Sequence, residues 1–140
     1  MRRVLAFGCV LLLLLMGGCS FRVQKDTIYI PQGKVESIEF QKQFEDGYHK
    51  KTVVSEKEIE EICAKIRKIP AQKAGNGEPH PITERPMVII LHGAKDHTLI
   101  LAKDAMFYDE IAYKYTDTTV YGQFESLYKE LKISEEIVKK

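Results

Sequence analysis

Tryptophan is absent from this 140-residue sequence, cysteine occurs three times, and neither sign of charge is in clear excess. Three cysteines cannot build the disulfide framework that holds many small secreted domains together. Twenty-one lysines and arginines against twenty acidic residues give a formal charge of +1. Nucleic-acid-binding surfaces displace counterions with a strong excess of positive charge, which is missing here, so we expect no nucleic-acid partner.

Catalytic and metal-binding motifs are missing as well. The sequence contains no GxSxG nucleophile elbow, no phosphate-binding P-loop, and neither HExxH nor CxxC. His92 and His97 flank a predicted hairpin and could approach each other, with Asp96 and Asp104 close in sequence. A small enzyme with titratable groups clustered around His92, His97 and Asp104 is therefore the less favoured alternative. We predict no catalytic residue, no metal site and no cofactor.

The apolar residues are concentrated at the N-terminus. Arg2 and Arg3 precede the run Val4–Met16, which carries no charge. A short basic start followed by about 7 to 15 apolar residues is typical of a secretory signal. A membrane-spanning helix needs about 20 apolar residues, so this run is too short for a comfortable span. We predict that residues 1–18 are a signal peptide.

The residues after this run define the kind of signal. Leu15-Met16-Gly17-Gly18-Cys19-Ser20 resembles the lipobox of bacterial lipoproteins, although Met16 stands where that family usually has leucine. In that family the cysteine is lipidated through its sulfur and becomes the mature N-terminus after cleavage. The resemblance implies that Cys19 is the lipid attachment site and that acyl chains such as palmitate anchor the protein. Ordinary cleavage near Gly18 or Ser20, which would release the protein, is the alternative.

Lipidation would place the protein at the cell membrane, facing outside the cytoplasm, or at the outer membrane if the host has two membranes. Residues 19–26 form the lipidated N-terminus and a polar tether, which reaches only about 25 Å at 3.5 Å per extended residue. Cleavage also removes Cys9, so the mature chain keeps acylated Cys19 and Cys63 and has no internal disulfide.

Hydrophobic patterning divides the rest of the chain into strands and helices. Thr27–Ile30 and Lys34–Gln43 are rich in residues that favour strands and are separated by the turn signal Pro31-Gln32-Gly33. Asp46-Gly47 predicts a hairpin that returns as the strand Tyr48–Val54, because glycine readily adopts positive φ.

The clearest helix follows this hairpin. Ser55 and Glu58 have the spacing of a capping box, and Val54 and Ile59 that of a hydrophobic staple. An apolar stripe then recurs at helical spacing, formed by Ile59, Ile62, Cys63, Ile66 and Ile69. Cys63 lies within the stripe, so we predict a small buried hydrophobe rather than a reactive thiol.

The second half predicts a long loop, four strands and a helix. Pro70–Pro86 holds four of the five prolines. Met87–Leu91 is continuously apolar, as is typical of a strand covered on both faces. The remaining elements are predicted at Thr98–Ala102, Met106–Tyr108, Ile111–Tyr115 and, for the helix, Gly122–Lys132; residues 134–140 are a tail that continues this helix or frays. The order indicates a single α+β domain at 27–133 with a largely antiparallel sheet. Its layout resembles small lipoprotein domains of unknown function from Gram-positive bacteria, a resemblance that implies no activity.

Binding is the function that these patterns favour. Five of seven tyrosines fall in the last third, namely Tyr108, Tyr113, Tyr115, Tyr121 and Tyr128; we expect them to roof the core with their hydroxyls at its rim. We expect a non-catalytic interaction module that contacts the membrane through its anchor and binds an envelope protein or glycan. Such a module predicts an exposed apolar or aromatic patch on the strands after Met87. The alternative is an envelope inhibitor or immunity-type protein that presents the turn Gly93–Asp96.

Overall fold

A computed structural model describes residues 34–75 and 85–139. Within these ranges the chain forms one eight-stranded sheet and two helices. The strands are β1 (Val35–Phe44), β2 (Gly47–Val53), β3 (Ala71–Lys73), β4 (Met87–Gly93), β5 (His97–Leu101), β6 (Ala105–Tyr108), β7 (Ile111–Tyr115) and β8 (Glu136–Val138); the helices are α1 (Glu56–Arg67) and α2 (Val120–Glu130). The predicted signal peptide, Cys19, the tether and the strand Thr27–Ile30 lie outside the described residues.

The sheet is antiparallel throughout, in the order β3-β7-β6-β5-β4-β1-β2-β8. The predicted α+β class with a mostly antiparallel sheet is confirmed. The turn between β1 and β2 consists of Glu45 and Asp46 rather than the predicted Asp46-Gly47, and Gly47 begins β2. Gly47 has a φ of +140°, a value that L side chains rarely adopt. A Cβ atom there would lie 2.4 Å from the Val138 carbonyl oxygen, so glycine also allows β8 to approach β2.

The structure contains two short strands, β3 and β8, that the sequence patterns do not predict. β3 lies at the start of the segment predicted as a loop and pairs with β7, and the Thr116 amide donates to the Pro70 carbonyl at 2.9 Å. β8 lies in the predicted C-terminal tail and pairs with β2. A three-residue segment is too short to show the alternation of apolar and polar residues that predicts a strand. Each of these two strands is held instead by hydrogen bonds to a strand that is distant in sequence.

Both helices contribute their apolar stripes to one face of the sheet. The predicted stripe of α1 is confirmed: all five of its residues are buried, including Cys63, which is 4% exposed. Burial raises the pKa of the Cys63 thiol, as suits a structural cysteine. The capping box and the hydrophobic staple predicted at the start of α1 are wrong. The Ser55 side chain makes no capping hydrogen bond, and Val54 is 74% exposed.

The tyrosines pack against the core, but two hydroxyls do not reach its rim. Tyr108 and Tyr128 are buried, while Tyr113, Tyr115 and Tyr121 are partly buried against the same cluster. The hydroxyl oxygens of Tyr108 and Tyr115 are buried without a hydrogen-bond partner among the described residues. Desolvation raises the pKa of Tyr108 to about 12, which keeps this phenol neutral.

β4 is central in the sheet, but the described residues cover only one of its faces. Met87, Ile89 and Leu91 are fully buried beneath the helices. Val88 and Ile90 alternate with them, point to the opposite face and remain partly exposed. The prediction that this strand is covered on both faces is therefore wrong for the described part of the chain.

Neither helix in the described ranges is long and apolar enough to cross a membrane.

Candidate interaction surface on the open sheet face

The open face is the side of the sheet opposite α1 and α2. An apolar row crosses it: Val88 lies opposite Ile100, Ile100 opposite Phe107, and Phe107 opposite Ala112. All four side chains are partly exposed. Neighbouring strands lie about 4.8 Å apart, so the row spans roughly 14 Å across four strands.

A second pair widens the row towards one end of the strands, where Ile90 lies opposite Thr98. Beyond Thr98 the surface forms a shallow depression of about 760 Å³. Its walls are Lys95, Thr98, Ile100, Phe107, Asp109 and Glu110. The open face therefore combines an apolar centre with a shallow, partly charged concavity.

Charged groups of both signs flank the apolar row on β1 and β2. Gln41 continues the row beside Val88, and Glu39 lies beside Ile90. The Lys50 ammonium is 3.1 Å from a Glu136 carboxylate oxygen and 3.8 Å from one of Glu39. The hydrogen bond to Glu136 and the charge of Glu39 raise the pKa of Lys50. These ion pairs are partly exposed, so they contribute little to stability but give the flank a defined charge pattern.

The turn between β6 and β7 forms one wall of the depression and has an unusual backbone. Asp109 and Glu110 have φ values of 46° and 71°, the left-handed region that a type I′ hairpin requires. The side chain of Asp109 stabilises this turn: it accepts a hydrogen bond from the Thr98 amide at 2.9 Å and lies 2.5 Å from Nδ1 of His97. Burial opposes ionisation of Asp109, but these hydrogen bonds outweigh it and hold its pKa below the ordinary value.

The residues of the predicted enzyme cluster do not meet. His97 lies opposite Leu91 on the helix-covered face and stacks on Tyr108, with 5.9 Å between ring centroids. His92 points to the open face, where its Nδ1 lies 3.0 Å from Asp96. Asp104 lies in the turn at the opposite end of β5. Among residues 34–75 and 85–139, no three His, Cys, Asp or Glu side chains lie close enough to hold a metal ion.

The turn Gly93–Asp96 is held by the side chain of Asp96. One carboxylate oxygen bonds His92, and the other accepts the Gly93 amide at 3.4 Å. The turn lies at the end of β4 and beside the depression, to which Lys95 contributes. Lys95 therefore connects this turn to the open face.

A second cluster of titratable groups attaches the C-terminal strand to the sheet. The two ring nitrogens of His49 lie 2.9 Å from Glu135 and 2.9 Å from Asp46. Glu135 also accepts a hydrogen bond from the Tyr128 hydroxyl at 2.6 Å. The hydrogen bonds with Glu135 and Asp46 raise the pKa of His49, while those from Tyr128 and His49 lower the pKa of Glu135.

These shifts predict a pH window for the attachment of β8. Charged His49 stabilises the contact below its ordinary pKa of 6.5, and this contribution is lost as the pH rises through its raised folded-state pKa. Ionised Glu135 contributes above its ordinary pKa of 4.5, and its contribution is lost as the pH falls through the lowered value. The register directs the Val138 amide towards Tyr48 of β2, so we expect its protection factor in hydrogen exchange to be greatest between these two pH limits. In His49→Gln the loss on the alkaline side should disappear, whereas His92→Gln should retain it. An unchanged alkaline loss in His49→Gln would contradict the assignment.

The sequence of β4 contains an alternation that could have indicated the open face, but it is hard to recognise because Met87–Leu91 is apolar throughout. Val88 and Ile90 alternate with three core residues, and Ile100 and Phe107 occupy equivalent alternate positions on the following strands. The prediction of an exposed patch after Met87 is met only in part, because the residues of this row are partly exposed. No protein-family model matches the chain, and neither the curated proteins nor the solved structures give a significant match.

Proposed function

We propose that this protein is an extracytoplasmic lipoprotein, anchored through Cys19, whose domain binds a partner protein of the cell envelope with its open face. The lipobox motif supports the anchor, and the apolar row supports the binding surface. A tether limits the partner to the neighbourhood of the membrane.

The apolar row is the observation that carries the binding proposal. An antiparallel sheet with one face in water usually alternates apolar and polar residues. Here, Val88, Ile100 and Phe107 are apolar although their neighbours along each strand already form the core. Contiguous apolar surface rimmed by polar residues is typical of protein-interaction sites.

The chemistry of the face favours a protein over the other partner classes. Phe107 is the one aromatic side chain of the row, whereas glycan sites use aromatic stacking platforms combined with many hydrogen-bonding groups. The flanking pairs of Lys50 with Glu39 and Glu136 carry both signs of charge. We infer that the partner presents an apolar strip with charges of both signs beside it, which would fix its orientation.

A photo-crosslinking residue at Ile100, incorporated in cells, tests this proposal. We expect an adduct with a second envelope protein from Ile100, and no such adduct from the same probe at Lys57, which is exposed on α1. Phe107→Glu should reduce the Ile100 adduct at least tenfold, because it places a charge in the apolar centre. Ile111→Glu is the matched control, since Ile111 is exposed on the neighbouring strand and points to the other face.

The proposal fails if Ile100 and Lys57 give the same adducts, or if Phe107→Glu and Ile111→Glu reduce the Ile100 adduct equally. Far-UV circular dichroism and thermal melting of both variants separate a loss of binding from a loss of folding. The same experiment addresses an inhibitor or immunity-type role, the second candidate, which the Asp96 contacts of the Gly93–Asp96 turn favour. In that case a probe at Ala94 in the turn should give the strongest adduct.

A further inference from the structure

A second concave surface lies on the helix side, between α1 and the beginning of β1. This α1–β1 groove has a volume of about 740 Å³. Lys34 and Val35 form one wall, and Val54, Ile59 and Cys63 form the apolar base and the other wall. Ile59 and Cys63 are nearly inaccessible, while Val54 is the most exposed of the large hydrophobic residues in the described ranges.

The rim of the α1–β1 groove carries three acidic and two basic side chains. Lys34 and Glu36 lie on the β1 side, the carboxylates of Glu56 and Glu60 lie along α1, and Arg67 is at the far end. A suitable occupant therefore has a few apolar side chains for the base and a positive charge near Glu56 and Glu60. The segment that precedes Lys34 contains Ile28 and Ile30 and, before them, Lys25 followed by Asp26.

We propose that the chain's own segment Thr27–Ile30 occupies the α1–β1 groove. The described residues begin at Lys34, which itself lines the groove. Pro31-Gln32-Gly33 is a turn signal, so it favours a reversal of the chain immediately before Lys34. Three residues reach at most about 10 Å, which keeps Ile30 within reach of the groove.

The residue order within the segment fits this placement. In an extended segment alternate side chains share a face, so Ile28 and Ile30 point together towards Val54 and Ile59. Tyr29 then points outward. Lys25, two residues before Thr27, comes close to the carboxylates of Glu56 and Glu60 on the rim.

The docked segment has a consequence that rests on the proposed lipid anchor. With Thr27–Ile30 in the groove, only residues 20–26 separate Cys19 from the folded domain, and they span at most about 25 Å; without docking, residues 20–33 would span roughly 50 Å. The end of the domain that carries the α1–β1 groove is then held towards the membrane. Docking thus sets which part of the open face a membrane-bound partner can reach.

The test uses the purified chain from residue 19 onward with Cys19→Ser, so that Cys63 is its sole cysteine. A photo-crosslinking residue at Val54 should form an intramolecular adduct with the peptide that contains Ile28 and Ile30, identified by mass spectrometry. The same probe at Lys57 should not. A Val54 adduct with another peptide, an adduct between two copies, or no adduct overturns the proposal.

The reactivity of Cys63 provides a second readout in the same protein. Ile28→Asp combined with Ile30→Asp should accelerate the reaction of Cys63 with a thiol reagent at least tenfold, because it removes the segment from the groove. Val23→Asp in the same leader is the matched control and should leave the rate unchanged. Equal rates in both variants and the parent overturn the proposal. Neither readout requires lipid or a partner, so failure here is distinguishable from failure of the proposed function.

Discussion

Replacement of Cys19 by alanine is expected to abolish the incorporation of a labelled fatty acid into this protein. The lipobox resemblance assigns the acyl chains to the Cys19 sulfur, and alanine offers no nucleophile at that position. Each buried methylene contributes about 0.8 kcal/mol to membrane binding, so two or more chains anchor a protein stably where one does not. The effect is therefore all-or-none. Metabolic labelling with palmitate, followed by isolation of the protein, measures it.

Two controls define what this result means. Cys63→Ala should keep the full label, because Cys63 is buried in the core and has a raised pKa. Mass spectrometry of the N-terminal peptide of the parent protein should show a lipid-modified Cys19 as the first residue. Equal labelling of Cys19→Ala and the parent would refute the anchor, and an unmodified N-terminus near Gly18 or Ser20 would favour free secretion.

Lys51→Met is expected to lower the free energy of unfolding by about 2 to 4 kcal/mol, a large fraction of the stability of a small domain. Lys51 is 8% exposed, and its ammonium donates hydrogen bonds to the carbonyls of Tyr128 and Leu131, at 2.8 and 2.9 Å. Tyr128 is in the last turn of α2 and Leu131 is its C-cap residue, so the ammonium lies at the helix end whose dipole favours a positive charge. The ammonium lies 4.7 Å from the centroid of the Tyr128 ring, which adds a cation–π contact.

Methionine has nearly the length of lysine but cannot donate a hydrogen bond, so the two carbonyls lose their protein partner. Urea denaturation measures the effect, and a fall in melting temperature of roughly 10 to 20 °C should accompany it. Lys50→Met is the matched control, because the neighbouring lysine points to the open face and forms partly exposed ion pairs. Its expected cost is at most about 1 kcal/mol. Equal losses in the two variants would show that Lys51 does not hold the end of α2.

Lys51 also illustrates what sequence patterns could not predict. Lysine is rarely buried, so its position in a strand next to the Asp46-Gly47 hairpin indicates a solvent-facing side chain. The register places Lys51 opposite Phe40, whose side chain is fully buried beneath the helices. Only the packing of α2 onto this part of the sheet supplies the two carbonyls that make the burial of a charge tolerable.

The two histidines show the same limit at short range. His92 and His97 are five residues apart across a turn, and this proximity predicts that they approach each other. The hairpin register pairs His97 with Leu91, so the pleat directs His92 and His97 to opposite faces of the sheet. If the register between β4 and β5 were shifted by one residue, a different set of side chains would share each face. The composition of the turn does not define this register.

Local patterns sufficed for the elements whose signals are contained in a short stretch of chain. The isoleucine stripe of α1 and the hairpin of β1 and β2 are confirmed, although the turn lies one residue earlier than predicted. Helical spacing and a positive-φ glycine act over a few residues. The export signal and the lipobox are local patterns too, and they stay predictions.

The spacing of apolar residues is therefore enough to predict the α+β class, the buried face of α1 and the structural role of Cys63. Three other features are visible only in the folded molecule: β3 and β8 join the sheet, Lys51 holds the end of α2, and Val88, Ile100 and Phe107 form one row. The places of β3, β8 and Lys51 depend on contacts between segments far apart in the chain, and the row depends on the register between neighbouring strands. The spacing of apolar residues within one segment defines neither.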